Sequence, residues 1–535
     1  MALAARLGLP HSRPTPNHPT VTAMRTASTP TPADAVDSAV ADQRIETAIS
    51  TVILAGDRAW KIRKPVAFPF LDQRNLEEQS RLCRREVELN SRLAPDVYLG
   101  VVEIDDPQSG GPRPATLMRR LPDSRRLGTL IAAGVDVSAE IREIARTLAA
   151  FHLSANCGPL IAQSATPAAM AERWHGSLAV VERFTGTVLE ARAVAAVRAL
   201  ADDYIAGCTP LFVRRMATDK VVDGHGDLLA DDIFCLSSGP RILDCLEFSD
   251  ELRYCDVVND VASLAMDCER LGAPQLGDLL LHEYTTYTAD IFPSSLADHY
   301  VAYRAMVRCE VACLRHEEGD PASADTARLL LDLAHSHCRL ARPTMVLVGG
   351  PPGVGKSTVA AALGDVLGWT VLRSDEVRRD VLGAEQWVGP SEWLSARFSA
   401  AATDATYGEM VERAGMLLGL GESVVLDATW AAPSRREEAE RVARDSHGSF
   451  VALRCDAPAH IAERRVARRI AAGSDISMAT VAVARQIADS FAPWPQATRL
   501  DTAAPVDDTF SQAVDTIRLV GLRDPAPPES KEVAC

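Results

Sequence analysis

The chain has 535 residues, 47% of them hydrophobic and 24% charged, and a formal net charge of -16 at pH 7. That length exceeds what one core normally serves, so two domains are expected, and the composition is that of a globular protein. The acidic balance argues against a general nucleic-acid binder, and no apolar run reaches the roughly 18 residues that a membrane helix needs.

Residues 1–40 are rich in Pro, Thr, Ser and Ala without periodicity, which predicts a disordered tail rather than a signal peptide. A first block spans 41–341. It opens with strand-like segments at 50–54 and 59–62, then a helical pattern from Leu76 to Leu93. A further strand pair is expected near 98–104 and 115–119. From Ser138 the pattern is mostly helical, broken by loop and strand signals between Val221 and Glu247, and a helix at 323–340 leads out of the block. A second block, 342–522, alternates strands (345–348, 370–372, 423–426 and 450–454) with helices, which implies a parallel sheet. Residues 523–535 predict another disordered tail. The 12 cysteines are scattered, with no C-x-x-C pair, which points to a reducing cytoplasm.

Within the second block, the apolar run 345–348 leads into GPPGVGKS, Gly350 to Ser357, and then into an Ala-rich helix start. Strand, glycine-rich loop and helix in that order make a phosphate-binding loop. Backbone N–H groups curl around an anion, and the helix N-terminus adds its dipole. The expected nucleotide contacts are Gly350, Gly353, Val354, Gly355, Lys356, Ser357 and Thr358. Lys356 is expected to reach the β/γ-phosphates and Ser357 to offer a hydroxyl to Mg²⁺. The strand ending in Asp427 has the form of a Walker B element, so Asp427 is a second candidate for the Mg²⁺ shell. Asp375 and Arg378, three apart on one helical face, are candidates for general base and substrate-binding cation. The run Glu463 to Arg469 is a basic helix suited to cover a transferring phosphoryl group. Arg465 and Arg469 share one of its faces, Arg464 and Arg468 the other, and Arg465 is taken as the nucleotide contact.

With Asp375-Glu376-Val377-Arg378, Asp427-Ala428-Thr429 and Arg435-Arg436, this block resembles small P-loop kinases of the polynucleotide-kinase, zeta-toxin and chloramphenicol-phosphotransferase type. The resemblance implies ATP-dependent transfer to a hydroxyl. The block is too short for a ring-forming AAA motor.

In the first block, His225-Gly226-Asp227 is followed by Asp232 and by an apolar strand that ends in Asp244. This pattern resembles the catalytic and metal loops of aminoglycoside phosphotransferases, relatives of protein kinases with the same two-lobed fold. The resemblance implies that Asp227 is the base, that Asp244 and Asp232 bind Mg²⁺, and that His225 braces the loop. Position 232 carries Asp where that family carries Asn. Lys61 matches the phosphate-binding lysine, with Lys64 as competitor, and Glu86 is its expected partner, with Glu88 as alternative. Asp256 and Asp260 read as caps and loop braces, and His152 as a packed core histidine.

The expected fold class is an α+β protein-kinase-like N-terminal domain followed by an α/β P-loop NTPase domain with a parallel sheet. The order of the two resembles bacterial bifunctional proteins. The implied cofactors are ATP and Mg²⁺, and the implied partner is a hydroxyl-bearing small molecule. The competing expectations are that one half only senses nucleotide, or that the chain hydrolyses ATP without an acceptor.

Overall fold

The structure is a computed structural model that describes residues 43–47, 49–68, 71–106, 111–383, 399–472 and 480–521. The two expected tails lie outside the described residues. The chain divides into two compact units, 1–121 and 122–535, and the boundary expected at 341/342 falls inside the second.

The first unit is built on an antiparallel sheet of order β1-β2-β3-β7-β6. Its strands are β1 (Gln43–Glu46), β2 (Ser50–Ala55), β3 (Arg58–Arg63), β6 (Tyr98–Asp106) and β7 (Gly111–Arg119), with a small hairpin of β4 (Ala67–Phe68) and β5 (Leu71–Asp72) between. Alternation decides which side is buried: Ile53, Trp60, Ile62, Val102, Ile104, Ala115 and Leu117 form one cluster. The helix Leu76–Asn90 starts at Asn75, whose side chain accepts from the Glu77 N–H, and it buries Leu82, Cys83 and Leu89. The edge strand β1 has all four residues exposed, so no hydrophobic alternation announces it.

The second unit opens with helices wrapped around one central element. The helix Val257–Arg270 is buried at every position from Val257 to Cys268, so its Asn259, Asp260 and Asp267 must find partners within the protein. Two short antiparallel ladders flank it, β8 (Val221–Asp223) with β11 (Tyr254–Asp256) and β9 (Ile233–Leu236) with β10 (Gly239–Ile242). The helices Ser294–Glu317 and Ser323–Leu340 pack alongside. His337 ties three of these helices together, its Nδ1 2.8 Å from Asp298 and its Nε2 2.9 Å from Glu269.

The P-loop part is a five-stranded, all-parallel sheet of order β13-β14-β12-β15-β16. The strands are β12 (Thr344–Gly349), β13 (Thr370–Arg373), β14 (Val424–Asp427), β15 (Ser449–Asp456) and β16 (Thr498–Asp501). Successive residues of β12 feed opposite cores, Met345 and Leu347 on one face and Val346 and Val348 on the other. The edge strand β16, Thr-Arg-Leu-Asp, has no apolar run and is absent from the four-strand expectation.

The helical part grips this sheet at the N-terminal ends of its strands. Ser295 Oγ donates to Gly421 O at 2.7 Å, Asp203 accepts from His447 at 2.8 Å, and Cys208 Sγ donates to Leu418 O. A Cβ at Gly421 would lie 2.6 Å from Ser295 Oγ, and one at Gly207 2.5 Å from Ser446 O. The two parts therefore approach too closely at these glycines for any side chain, and the C-terminal edge of the sheet is left to the P-loop.

Burial works against a charge on His337, but hydrogen bonds to Asp298 and Glu269 outweigh it and push its pKa up to about 9. A group whose pKa rises on folding stabilises the fold most below its unfolded pKa, and that share is lost as pH climbs through the folded value. Urea unfolding at pH 6.5 and pH 9.5 is therefore expected to differ by on the order of 2 kcal/mol more for the native chain than for His337→Gln.

Candidate functional site

In the first unit, β3 and the helix Leu76–Asn90 bring Lys61 and Glu86 together, Nζ to Oε1 at 2.8 Å. Glu86 is fully buried and is held from two further sides. Arg63 Nη2 and Thr116 Oγ1 each donate to its Oε2 at 3.0 Å. The competing residues are engaged elsewhere: Lys64 with Glu46 at 2.7 Å, and Glu88 with Arg85 at 3.0 Å. No sequence pattern signals Arg63, which is as buried as the glutamate it holds.

In the second unit, Asp260 shapes the loop carrying Asp227. Its carboxylate accepts from the backbone N–H of His225 at 2.5 Å and of Gly226 at 2.8 Å, and lies 3.2 Å from His152 Nε2. Burial pushes this carboxyl up, yet the His152 hydrogen bond and the His225 and Arg304 charges hold it well below the usual carboxylate range. His152 therefore does more than fill the core: it bridges Asp260 and the Tyr284 hydroxyl. Gly224 is required because a Cβ there would lie 2.4 Å from Asp260 Oδ2. Asp256 caps the central helix through the Val258 N–H and pairs with Arg215 at 2.7 Å.

The same loop is stitched to the segment carrying Asp244. His225 Nε2 lies 3.0 Å from Leu243 O, and the Leu246 N–H donates to His225 O at 3.1 Å. Burial pushes the His225 pKa down, against the charges of Asp260, Asp227 and Asp244. Asp244 itself has φ +64°, a left-handed conformation that costs a non-glycine residue energy and gathers at functional sites. Asp232 immediately precedes β9, and its carbonyl accepts from the Leu243 N–H at 2.9 Å. Two arginines from elsewhere complete the brace. Arg253 donates to Asp223 and to Leu246 O, both at 2.8 Å, and Arg304 donates to Gly226 O at 2.5 Å.

The P-loop leaves β12 and enters the helix Lys356–Leu367 through left-handed turns at Gly353 and Gly355, φ +87° and +95°. A Cβ at Gly353 would sit 2.4 Å from Ala462 O, so the helix Ala459–Ala472 rests directly on the loop. Of its two arginine faces, the one with Arg465 and Arg469 turns to the P-loop. Arg465 Nη2 donates to Thr502 O at 2.8 Å, and Thr502 in turn donates to Val354 O. Lys356 Nζ donates to Pro351 O at 3.1 Å. Burial pushes its ammonium pKa down, while Asp427 and Asp375 act to restore it. Asp427 is buried at the end of β14 beside β12, and Thr429 O accepts from the Gly350 N–H at 3.1 Å. The Asp427-Ala428-Thr429 segment is thereby bound to the first P-loop glycine.

Asp375 stands in the first turn of the helix Ser374–Leu382, and Arg378 is buried on the same helix. Arg373, which no motif in the sequence marks, lies 3.4 Å from Asp427 Oδ2. The two residues are register partners on neighbouring strands, a pairing that no local pattern announces. Arg436 is structural, since it donates to the carbonyls of Trp430, Ala431, Ala492 and Pro493.

Among the described residues, no three His, Cys, Asp or Glu side chains converge as a metal cage. Mg²⁺ usually takes only one or two carboxylates and completes its shell with phosphate and water. Ser357 and Asp427, and Asp244 and Asp232, have the oxygen donors that such a shell uses.

The protein Rv2004c of Mycobacterium tuberculosis is 41% identical over 470 residues, 88% of this chain and 94% of its own. A Mycobacterium bovis protein, Mb2027c, matches to the same extent. The chain belongs to their family. Residues 345–494 also match a family model described as an AAA domain, which covers the P-loop, Asp375, Asp427 and the arginine helix. Among solved structures, a choline/ethanolamine kinase family protein from Mesorhizobium loti is 15% identical over 56% of this chain and 87% of its own, with a TM-score of 0.35. The APS kinase CysC of Mycobacterium tuberculosis is 24% identical over 33% of this chain and 98% of its own, with a TM-score of 0.26.

Replacing Asp260 with Ala leaves two buried amides without their acceptor. A loss of about 3–5 kcal/mol is expected in urea unfolding. Asp260→Asn, which keeps one acceptor oxygen, is expected to lose clearly less.

Proposed function

We propose that the chain is an ATP-dependent kinase with two Mg–ATP sites, each passing the γ-phosphoryl group to a hydroxyl of a small molecule. The observation that carries this reading is Lys356 at the mouth of the P-loop, among Asp427, Asp375 and the Arg465–Arg469 face. A ring of backbone amides with one lysine suits a triphosphate, Asp375 suits the acceptor proton, and Arg378 and Arg465 suit the anionic groups on either side. Mg²⁺, when bound, would neutralise charge growing on the transferred group, with Ser357 and Asp427 as its protein contacts.

At the first site, Asp227 takes the proton of the acceptor hydroxyl, and Asp244 and Asp232 would hold Mg²⁺ when it is bound. In the first unit, Lys61, kept in place by Glu86, suits a nucleotide phosphate. Phosphoryl transfer asks mainly for positioning and charge, which is what these braced side chains provide. The P-loop part is the domain expected at 342–522, and 41–341 forms the other. Free thiols at the described cysteines accord with a cytoplasmic setting, and no described helix is long and apolar enough to cross a membrane.

Asp232 favours a second reading, in which the first site binds nucleotide without turning it over. Lys356→Ala and Asp227→Ala, assayed separately for ATP turnover with a metabolite extract as acceptor, distinguish the two. On the two-site reading each substitution removes a distinct part of the labelled products, by at least about 100-fold. If only Lys356→Ala matters, the second reading holds, and if neither does, both are wrong.

A further inference from the structure

The first site holds a positive charge that has no assigned part in the reaction. Arg308 Nη1 lies 3.4 Å from Asp227 Oδ2, and 22% of the Arg308 side chain and 27% of the Asp227 side chain remain exposed. Both therefore face accessible space. Four residues earlier on the helix Ser294–Glu317, Arg304 is anchored by Gly226 O and by Asn259 Oδ1 at 2.8 Å, which fixes that helix against the loop and delivers Arg308 to the aspartate. A single contact at that distance occupies little of a guanidinium with five N–H donors.

Several carboxylates around the loop already have partners, and Asp244 and Asp232 are assigned to Mg²⁺ on the kinase reading. Asp223 and Asp250 are taken by Arg253, Asp256 by Arg215, and Asp260 by the loop amides. An ammonium-bearing acceptor next to Asp227 would meet the like charge of Arg308. A carboxylate or phosphate would meet a planar donor fork built for it. The net charge of -16 does not overrule this, because carboxylates farther than the Debye length of about 8 Å are largely screened while Arg308 acts at contact.

We propose that the acceptor of the first site carries an anionic group, carboxylate or phosphate, bound by Arg308 while its hydroxyl faces Asp227. The inference rests on the kinase reading of Asp227. In the transfer, the acceptor oxygen bonds to the γ-phosphorus, the bond from that phosphorus to the β,γ-bridging oxygen breaks, ADP leaves, and the hydroxyl proton passes to Asp227.

The test uses the full chain carrying Lys356→Ala, with γ-labelled ATP and a metabolite extract split into anion-exchange-retained, cation-exchange-retained and unretained fractions. Label is expected from the anion-retained fraction. Treating that fraction with a phosphatase, removed before assay, abolishes acceptance if the group is a phosphate and spares it if the group is a carboxylate. Adding Arg308→Gln is expected to raise the half-saturating amount of that fraction roughly 10- to 100-fold, with the maximal rate changed less than about threefold. Arg308→Lys, which keeps the charge but not the fork, recovers part of the loss and covers the case in which the Gln variant misfolds. Label arising from the cation-retained or unretained fraction, or a fall in maximal rate without a change in half-saturation, overturns the proposal. Absence of any label that Asp227→Ala removes overturns the kinase reading of this site, and the inference falls with it.

Discussion

A fully buried carboxylate, Asp260, sets the geometry on which the first site depends. An isolated charge at that depth would be prohibitively costly. It persists because the His225 and Gly226 amides point at it and His152 bridges it to Tyr284. Its demand for donors fixes the loop, and the fixed loop aims Asp227. Gly224 follows from the same demand, since its hydrogen leaves the space the carboxylate needs. Arg304 braces the loop through the Gly226 carbonyl, and its charge also lies 4.0 Å from Asp260.

The P-loop part also buries charge, at Asp427 and Arg378, but its loop is shaped by the backbone. There the chain conformation supplies the order: Gly353 and Gly355 take left-handed turns, and the helix Ala459–Ala472 presses on Gly353 through Ala462 O. One loop is organised by an anion inside the protein, and the other by the turns of its own backbone.

What could be read from the sequence follows this contrast. The P-loop was legible because strand, loop and helix are contiguous and its glycines have one physical purpose. The Lys61–Glu86 pair was legible only as a choice between neighbours, which burial of Glu86 and the Lys64–Glu46 contact decide. Arg304 and Arg373 were not legible, because their partners lie 78 residues away in one case and on a neighbouring strand in the other. The strands β1 and β16 escaped notice for the reason edge strands often do: half their pairing capacity and much of their surface face water, so apolar patterning is not imposed.

Because the helical part seizes the rear of the parallel sheet, the path from Asp227 to the acceptor side of the P-loop runs through two helices. From Arg308 back to Ser295 is thirteen residues, and from Leu418 back to Thr403 fifteen, so the route is roughly 40 Å of helix at 1.5 Å per residue. On the two-site reading, one polypeptide carries both sites in equal number, coupled mechanically through these two helices.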